Sequence, residues 1–167
     1  MEYTLAVNTA DCIGCDACEV ACKQEHGLSV GLSWIKVSTR GPREIEGRQQ
    51  LRYDVAHCLH CVNPGCREVC PVDAITKRED GIVLIDEELC TGCMACLDGC
   101  PLGVMQFDQE KALAEKCDLC FSRLDRGMNP ACVAACPARC IHSGDLAEVV
   151  AGNGRNELLE KYKKTGA

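Results

Sequence analysis

Aromatic residues are scarce: one Trp, three Tyr and two Phe in 167 residues. Leu, Ile, Val and Phe together make 37 residues, or 22% of the chain. That is close to the roughly 20% below which chains tend to stay unfolded. A core built from side chains alone would be thin. No apolar run approaches the roughly 18 residues of a membrane span. The opening MEYTLAVNTADC has neither a basic segment nor an apolar one, so no secretory signal of its own is expected. Positive charge is short as well. Eighteen Lys and Arg against 25 Asp and Glu leave a net charge of −7, which argues against nucleic acid, a ligand that wants a basic face. There is no G-x-G-x-x-G and no phosphate-cradling loop. With no catalytic constellation and no open metal position, any substrate chemistry is expected to happen on another protein. The length allows one domain or two small ones.

What the chain has in abundance is cysteine, 17 residues, about one in ten. That proportion marks a disulfide scaffold or a metal protein. The cysteines fall into four groups. Cys12, Cys15, Cys18 and Cys22 are spaced C-x2-C-x2-C-x3-C. Cys58, Cys61, Cys66 and Cys70 are spaced C-x2-C-x4-C-x3-C. Cys90, Cys93, Cys96 and Cys100 repeat the first spacing, and DCIGCDACEVAC matches LCTGCMACLDGC almost step for step. Cys117, Cys120, Cys132 and Cys136 are spaced C-x2-C-x11-C-x3-C. Cys140 is left over. Three groups end in Cys-Pro, at Pro71, Pro101 and Pro137, whereas the first ends Cys22-Lys23.

The spacing has a mechanical reading. Three thiolates at C-x2-C-x2-C can wrap a tight loop around three corners of an iron–sulfur cubane. The fourth, three residues on, sits on the following helix and points away, and in two-cluster ferredoxins it ligates the other cluster, with a proline behind it. Gly14 and Gly92 lie inside the loops, where a missing side chain lets backbone come close to a cofactor. Zinc is the competing reading, but C-x2-C-x2-C-x3-C crowds one tetrahedral site. Disulfides compete too, but cysteines two residues apart across a tight loop pair badly, and the count is odd.

On CIGCDACEVAC, HCLHCVNPGCREVCPVDAI, CTGCMACLDGCPLGVMQFD and KCDLCFSRLDRGMNPACVAACPARC, the chain resembles the four-cluster, ferredoxin-like iron–sulfur subunits of molybdenum and tungsten oxidoreductases. These are the subunits of the dimethyl sulfoxide reductase, polysulfide reductase and formate dehydrogenase type, and the small subunits of tungsten aldehyde oxidoreductases. The likeness covers roughly residues 3–145. It implies an α+β fold of two bacterial-type ferredoxin-like halves, one inserted in the other: residues 1–56 with 113–167 (groups one and four), and residues 57–112 (groups two and three). It implies four [4Fe–4S] clusters with crosswise ligands. Cys12, Cys15, Cys18 and Cys136 would hold the first cluster. Cys117, Cys120, Cys132 and Cys22 would hold the second. Cys58, Cys61, Cys66 and Cys100 would hold the third. Cys90, Cys93, Cys96 and Cys70 would hold the fourth. With about −2 on each oxidised four-thiolate cubane, the loaded chain would carry roughly −15.

The resemblance also implies a role. The chain would be an electron-transfer component without a catalytic site. It would relay single electrons between a large catalytic subunit, with a molybdopterin-type molybdenum or tungsten cofactor, and a second carrier. That carrier would be a ferredoxin, a flavin subunit, a quinone-reactive membrane subunit or another copy of this chain. The short length relative to larger members of the class points to a cytoplasmic complex, with periplasmic co-export on a partner's signal as the alternative. A free polyferredoxin acting as a mobile carrier is the alternative function. A non-redox metal module is a third.

Between the groups, Ala74–Lys77 and Ile82–Ile85 read as a hairpin around Glu79-Asp80-Gly81. Trp34–Thr39 and Leu51–Ala56 read as two strands around Gly41-Pro42, with Leu51, Tyr53 and Val55 alternating. The charged stretch Glu44–Arg52 reads as a solvated loop. Short helices are expected after Cys15, Cys66, Cys93 and Cys132. A tail helix is expected from about Asn156, with Glu157–Lys161 and Glu160–Lys164 pairs and a Leu158, Leu159, Tyr162 stripe. His57 and His60 flank Cys58 and Cys61 and are read as hydrogen-bonding to a cluster sulfur or a nearby carbonyl rather than as ligands. Trp34 reads as core or partner contact. Cys140 reads as a buried, inert thiol, with Cys136 preferred as ligand because Pro137 follows it.

Overall fold

The computed structural model describes residues 2–153. The expected tail helix from Asn156 lies outside the described residues. The fold is α+β, made of four two-stranded antiparallel ribbons and short helices.

β1 (Tyr3–Val7) pairs with β8 (Ile141–Asp145), so Val7 lies opposite Ile141 across almost the whole sequence. β2 (Ile35–Ile45) and β3 (Arg48–His57) form a long hairpin from Ile35↔His57 to Ile45↔Arg48. β4 (Ile75–Lys77) pairs with β5 (Val83–Ile85). β6 (Gln106–Asp108) pairs with β7 (Leu113–Glu115). The helices are α1 (Ala17–His26), α2 (Gly65–Glu68), α3 (Ala95–Asp98), α4 (Phe121–Leu124), α5 (Ala131–Ala135) and α6 (Leu146–Asn153).

The 75–85 hairpin falls where alternation places it. The long hairpin differs from expectation at its tip. Gly41-Pro42 is not the turn but a register shift between Arg40 and Arg43. Proline has no N–H to give the ladder, and a bulge is where a strand tolerates that. The reversal comes at Glu46-Gly47, both with positive φ (51° and 74°). That is the backbone a two-residue hairpin loop needs to match strand twist. Glu44–Arg52 is therefore the end of a ribbon, exposed apart from the half-buried Ile45, and not a loop. Helices α2 and α5 begin one residue before Cys66 and Cys132, each directly after a proline, Pro64 and Pro130. Helix α4 and the β6–β7 ribbon are additional elements, too short for periodicity to mark.

Two buried clusters form the interior. The first gathers Leu5, Ile35, Val55, Ile82, Leu119 and Ile141 with Cys18, Cys22, Cys132 and Cys140. The second gathers Ile75, Val83, Met105 and Ala114 with Cys66 and Cys96. Ile82 and Val83 are neighbours in sequence but belong to different cores, because successive residues of an extended segment face opposite ways. Six of the sixteen residues in these two clusters are cysteines. The thin apolar composition is thus made up by thiols and by what the thiols surround.

Candidate metal centres

Four cavities are walled by cysteines. The first is lined by Cys12, Cys15, Cys18 and Cys136, with Cys140. The second is lined by Cys22, Cys117, Cys120 and Cys132. The third is lined by Cys58, Cys61, Cys66 and Cys100. The fourth is lined by Cys70, Cys90, Cys93 and Cys96. Each set of four named from the resemblance shares one cavity.

Helices deal these thiols out. Cys18 and Cys22 are one turn apart on α1, about 6 Å along its axis, and line the first and second cavities respectively. Helix α5 runs the same exchange in reverse: Cys132 lines the second and Cys136, at its C-terminus, the first. Helices α2 and α3 do likewise for the third and fourth, through Cys66 with Cys70 and Cys96 with Cys100. The loop thiols Cys12 and Cys15, and Cys90 and Cys93, come from loops that enter a helix through a left-handed residue. Asp16 (φ 57°) and Met94 (φ 62°) hold equivalent places in the repeat.

The loop glycines act on the outer side of these loops. Gly14 and Gly92 have φ of 66° and 68°. A Cβ on Gly14 would stand 2.2 Å from the Tyr53 ring, and one on Gly92 would stand 2.3 Å from the Ala112 carbonyl oxygen. The missing side chain lets protein, rather than a cofactor, close on the loop.

None of the seventeen cysteines is in a disulfide. Burial pushes the Cys18 and Cys120 thiols up to about 11, and Cys66 and Cys132 up to about 12. Burial, then the charges of Cys132 and Cys120, raises Cys22 further. Cys117 is raised by burial, with the Cys58 charge adding to it. For Cys136 burial acts the same way but is outweighed by the Cys140 N–H and thiol and the N–H groups of Ile141 and Ala138, so its net shift is downward. Cys140 is buried, and its Sγ lies 3.6 Å from Cys136 Sγ. Burial and Cys136 push it up to about 12.

Thiols held neutral by burial become ligands when a metal displaces their protons. Four all-thiol sets, each gathered from two of the repeated cysteine groups, are the donor chemistry of iron–sulfur cubanes. Backbone donors already reach the sulfurs: Leu119 N–H to Cys117 Sγ at 3.3 Å and His60 N–H to Cys58 Sγ at 3.5 Å.

His57 takes one of the two roles foreseen, beside backbone carbonyls, whereas the His60 ring accepts a backbone N–H. The His57 ring lies 3.2 Å from the Val55 carbonyl and 2.9 Å from the Leu5 carbonyl. His60 accepts the Val83 N–H at Nδ1, 3.0 Å. His26 is the residue the sequence reading passed over. It follows Cys22 by four residues on α1, hence on the same face. Its Nε2 lies 3.1 Å from Cys120 Sγ and 3.5 Å from Asp118, and its ring packs on Trp34 at 4.6 Å. Trp34 in turn donates to Glu115 at 3.2 Å. His26, Asp118 and Cys120 bring three ligand atoms within 4.8 Å of one another. Cys120 belongs to the second cavity, so this cluster is part of that site.

Residues 49–146 match the 4Fe-4S dicluster domain family, and residues 11–74 match a second 4Fe-4S dicluster domain. The chain is 35% identical to YnfG of Escherichia coli K12, a probable anaerobic dimethyl sulfoxide reductase chain, over 89% of this chain and 76% of that one. It is 36% identical to the thiosulfate reductase electron transfer subunit PhsB of Salmonella typhi, over 99% and 89%. It is 36% identical to the B polypeptide of the polysulfide reductase of Wolinella succinogenes, over 82% and 73%.

Proposed function

The chain belongs to the 4Fe-4S dicluster domain family, and on that premise we propose that it is the electron-transfer subunit of a molybdenum or tungsten oxidoreductase, carrying four [4Fe–4S] clusters. The observation that carries this is the set of four equivalent cavities, each walled by at least four thiols. In this reading Cys12, Cys15, Cys18 and Cys136 hold the first cluster and Cys22, Cys117, Cys120 and Cys132 the second. Cys58, Cys61, Cys66 and Cys100 hold the third, and Cys70, Cys90, Cys93 and Cys96 the fourth. Each cluster supplies reversible one-electron exchange.

The chain's own residues set the route. Shared helices stitch the first cavity to the second and the third to the fourth. Lys116 Nζ bonds the carbonyls of Val83, on the wall of the third cavity, and of Cys117, on the wall of the second, so the order is one, two, three, four. Cys15 and Cys93, in the end cavities, are exposed, and beside them Ile13 (60%) and Met94 (47%) leave apolar surface open. The corresponding second thiols of the middle pair are less open: Cys120 is buried and Cys61 half-buried. Electrons therefore enter and leave at the ends. One end meets the catalytic subunit with its molybdopterin-type cofactor, and the other meets a second carrier: a ferredoxin, a flavin subunit, a quinone-reactive membrane subunit or another copy. The chain itself does no substrate chemistry. The two halves of the reading are residues 1–56 with 113–167, closed by the β1–β8 ribbon, and residues 57–112 between them. No helix among the described residues is long and apolar enough to cross a membrane. We place the complex in the cytoplasm, with periplasmic co-export on a partner's signal as the alternative.

Anaerobic purification with iron and acid-labile sulfide analysis tests the reading. About sixteen irons per chain are expected, four per cubane, in a complex with a larger subunit on size exclusion. Zinc in place of iron overturns the cluster assignment. An 18.1 kDa iron-loaded species with no larger companion overturns the subunit assignment.

A further inference from the structure

Two buried groups at the boundary of the second and third cavities are left without the partner their chemistry requires. His60 is 1% exposed and lines the third cavity. Its Nδ1 accepts the Val83 N–H, so the ring proton resides on Nε2. That nitrogen is buried and has no hydrogen-bond partner among the described residues. A buried donor is almost always satisfied in a native protein, so an orphan calls for an acceptor.

Lys116 is 3% exposed. Its Nζ donates to the Val83 carbonyl and, at 2.7 Å, to the Cys117 carbonyl. No carboxylate stands within ion-pairing distance of it among the described residues. Lys77 is the instructive contrast. It also binds carbonyls, those of Cys61 and Val62, but its charge is met by Glu2 at 2.6 Å. A buried charge is kept only where something neutralises it. Val83 ties the two groups together: it lines the third cavity, its N–H goes to His60, and its carbonyl receives Lys116.

We propose that His60 and Lys116 tune the two central clusters. His60 Nε2–H donates to a sulfur of the cluster in the third cavity, and Lys116 supplies the counter-charge shared by the clusters in the second and third. This rests on the four-cluster reading. Adding an electron makes a cluster more negative, so a donor and a cation each favour the reduced form and raise the potential. Both groups are positioning residues: neither is a ligand.

The test is a spectroscopically monitored redox titration of the anaerobically purified, iron-loaded complex. Lys116→Met should lower two of the four midpoint potentials by at least a tenfold change in the electron equilibrium, 59 mV for one electron, and leave two unmoved. His60→Leu should lower one, and His60→Gln, whose amide can donate, should restore part of it. Lys116→Arg should keep the wild-type values. Where Lys116→Met fails to retain iron, Lys116→Gln, which keeps hydrogen bonding but drops the charge, is read instead. A full iron complement with four unchanged potentials in His60→Leu and in the Lys116 variant overturns the proposal and leaves the four-cluster reading intact. A wild-type chain without about four irons per cavity overturns the four-cluster reading itself.

Discussion

The helix pair α1/α5 and the pair α2/α3 perform the same exchange of cysteines with different means. Helix α1 has ten residues, whereas α2 and α3 have four each. The cause is one residue. Group one ends Cys22-Lys23, and the helix runs on through Lys23 to His26 before Gly27 caps it with φ 58°. Groups two and three end Cys70-Pro71 and Cys100-Pro101, and their helices stop at Glu68 and Asp98. A proline disfavours helical backbone in the residue before it. The extra turn of α1 carries His26 to Cys120, and Lys23 itself bonds the Leu32 carbonyl. A departure from the repeat thus gives the second cavity a histidine neighbour.

Removing the exchanged cysteines breaks both pairs and has the largest effect expected. Cys22→Ser should strip the second cavity, and Cys100→Ser the third, each losing about four of sixteen irons while the cavity shared with the variant's own group keeps its cluster. Iron analysis with electron paramagnetic resonance reads this. Loss of the first cluster in Cys22→Ser would reject the exchange. Next comes Lys23→Pro, which makes group one like the others. It should shorten α1 and destabilise the loaded protein by about 3 kcal/mol or more, read by denaturant unfolding. An unchanged midpoint would mean that the extra turn contributes nothing.

The loop glycines offer a smaller contrast. In Gly92→Ala the new Cβ meets the Ala112 backbone, which cannot turn aside, whereas in Gly14→Ala it meets the Tyr53 ring. Both incur the left-handed cost of roughly 1–2 kcal/mol. Gly92→Ala should cost more, and equal melting shifts would show the ring to be as fixed as the backbone. The smallest effect is expected from Cys140→Ala. It should cost about 1 kcal/mol of packing and no iron. Loss of about four irons would instead make Cys140 the fourth thiolate of the first cavity.

Much of this was legible from the residues. The cysteine spacings located the four groups, though the crosswise sets came from the resemblance, and the alternation around Gly81 located its hairpin. The long ribbon was misread at its tip because Gly41-Pro42 carries a stronger turn signal than Glu46-Gly47, yet a bulge absorbs the first and the second makes the reversal. His26 escaped notice because, although Lys23 in place of proline lets α1 run on, nothing in the sequence says that the extra turn meets Asp118 and Cys120, some ninety residues away. Lys116 escaped for a similar reason: a lysine before a Cys-x2-Cys unit reads as surface, and only the packing of Val83 against it shows a buried cation.

By itself the sequence determined the local units: loops that present three thiols, a fourth thiol one turn along a helix, and proline or lysine deciding where that helix stops. These depend on bond geometry and near neighbours, which spacing records directly. Which thiols face one another was decided by tertiary structure, because Cys22 meets Cys132 and Cys12 meets Cys136 only after β1 has paired with β8 and α1 has packed on α5. So were the unpaired His60 nitrogen and the uncompensated Lys116 charge. Burial creates both, and burial is a property of the whole fold.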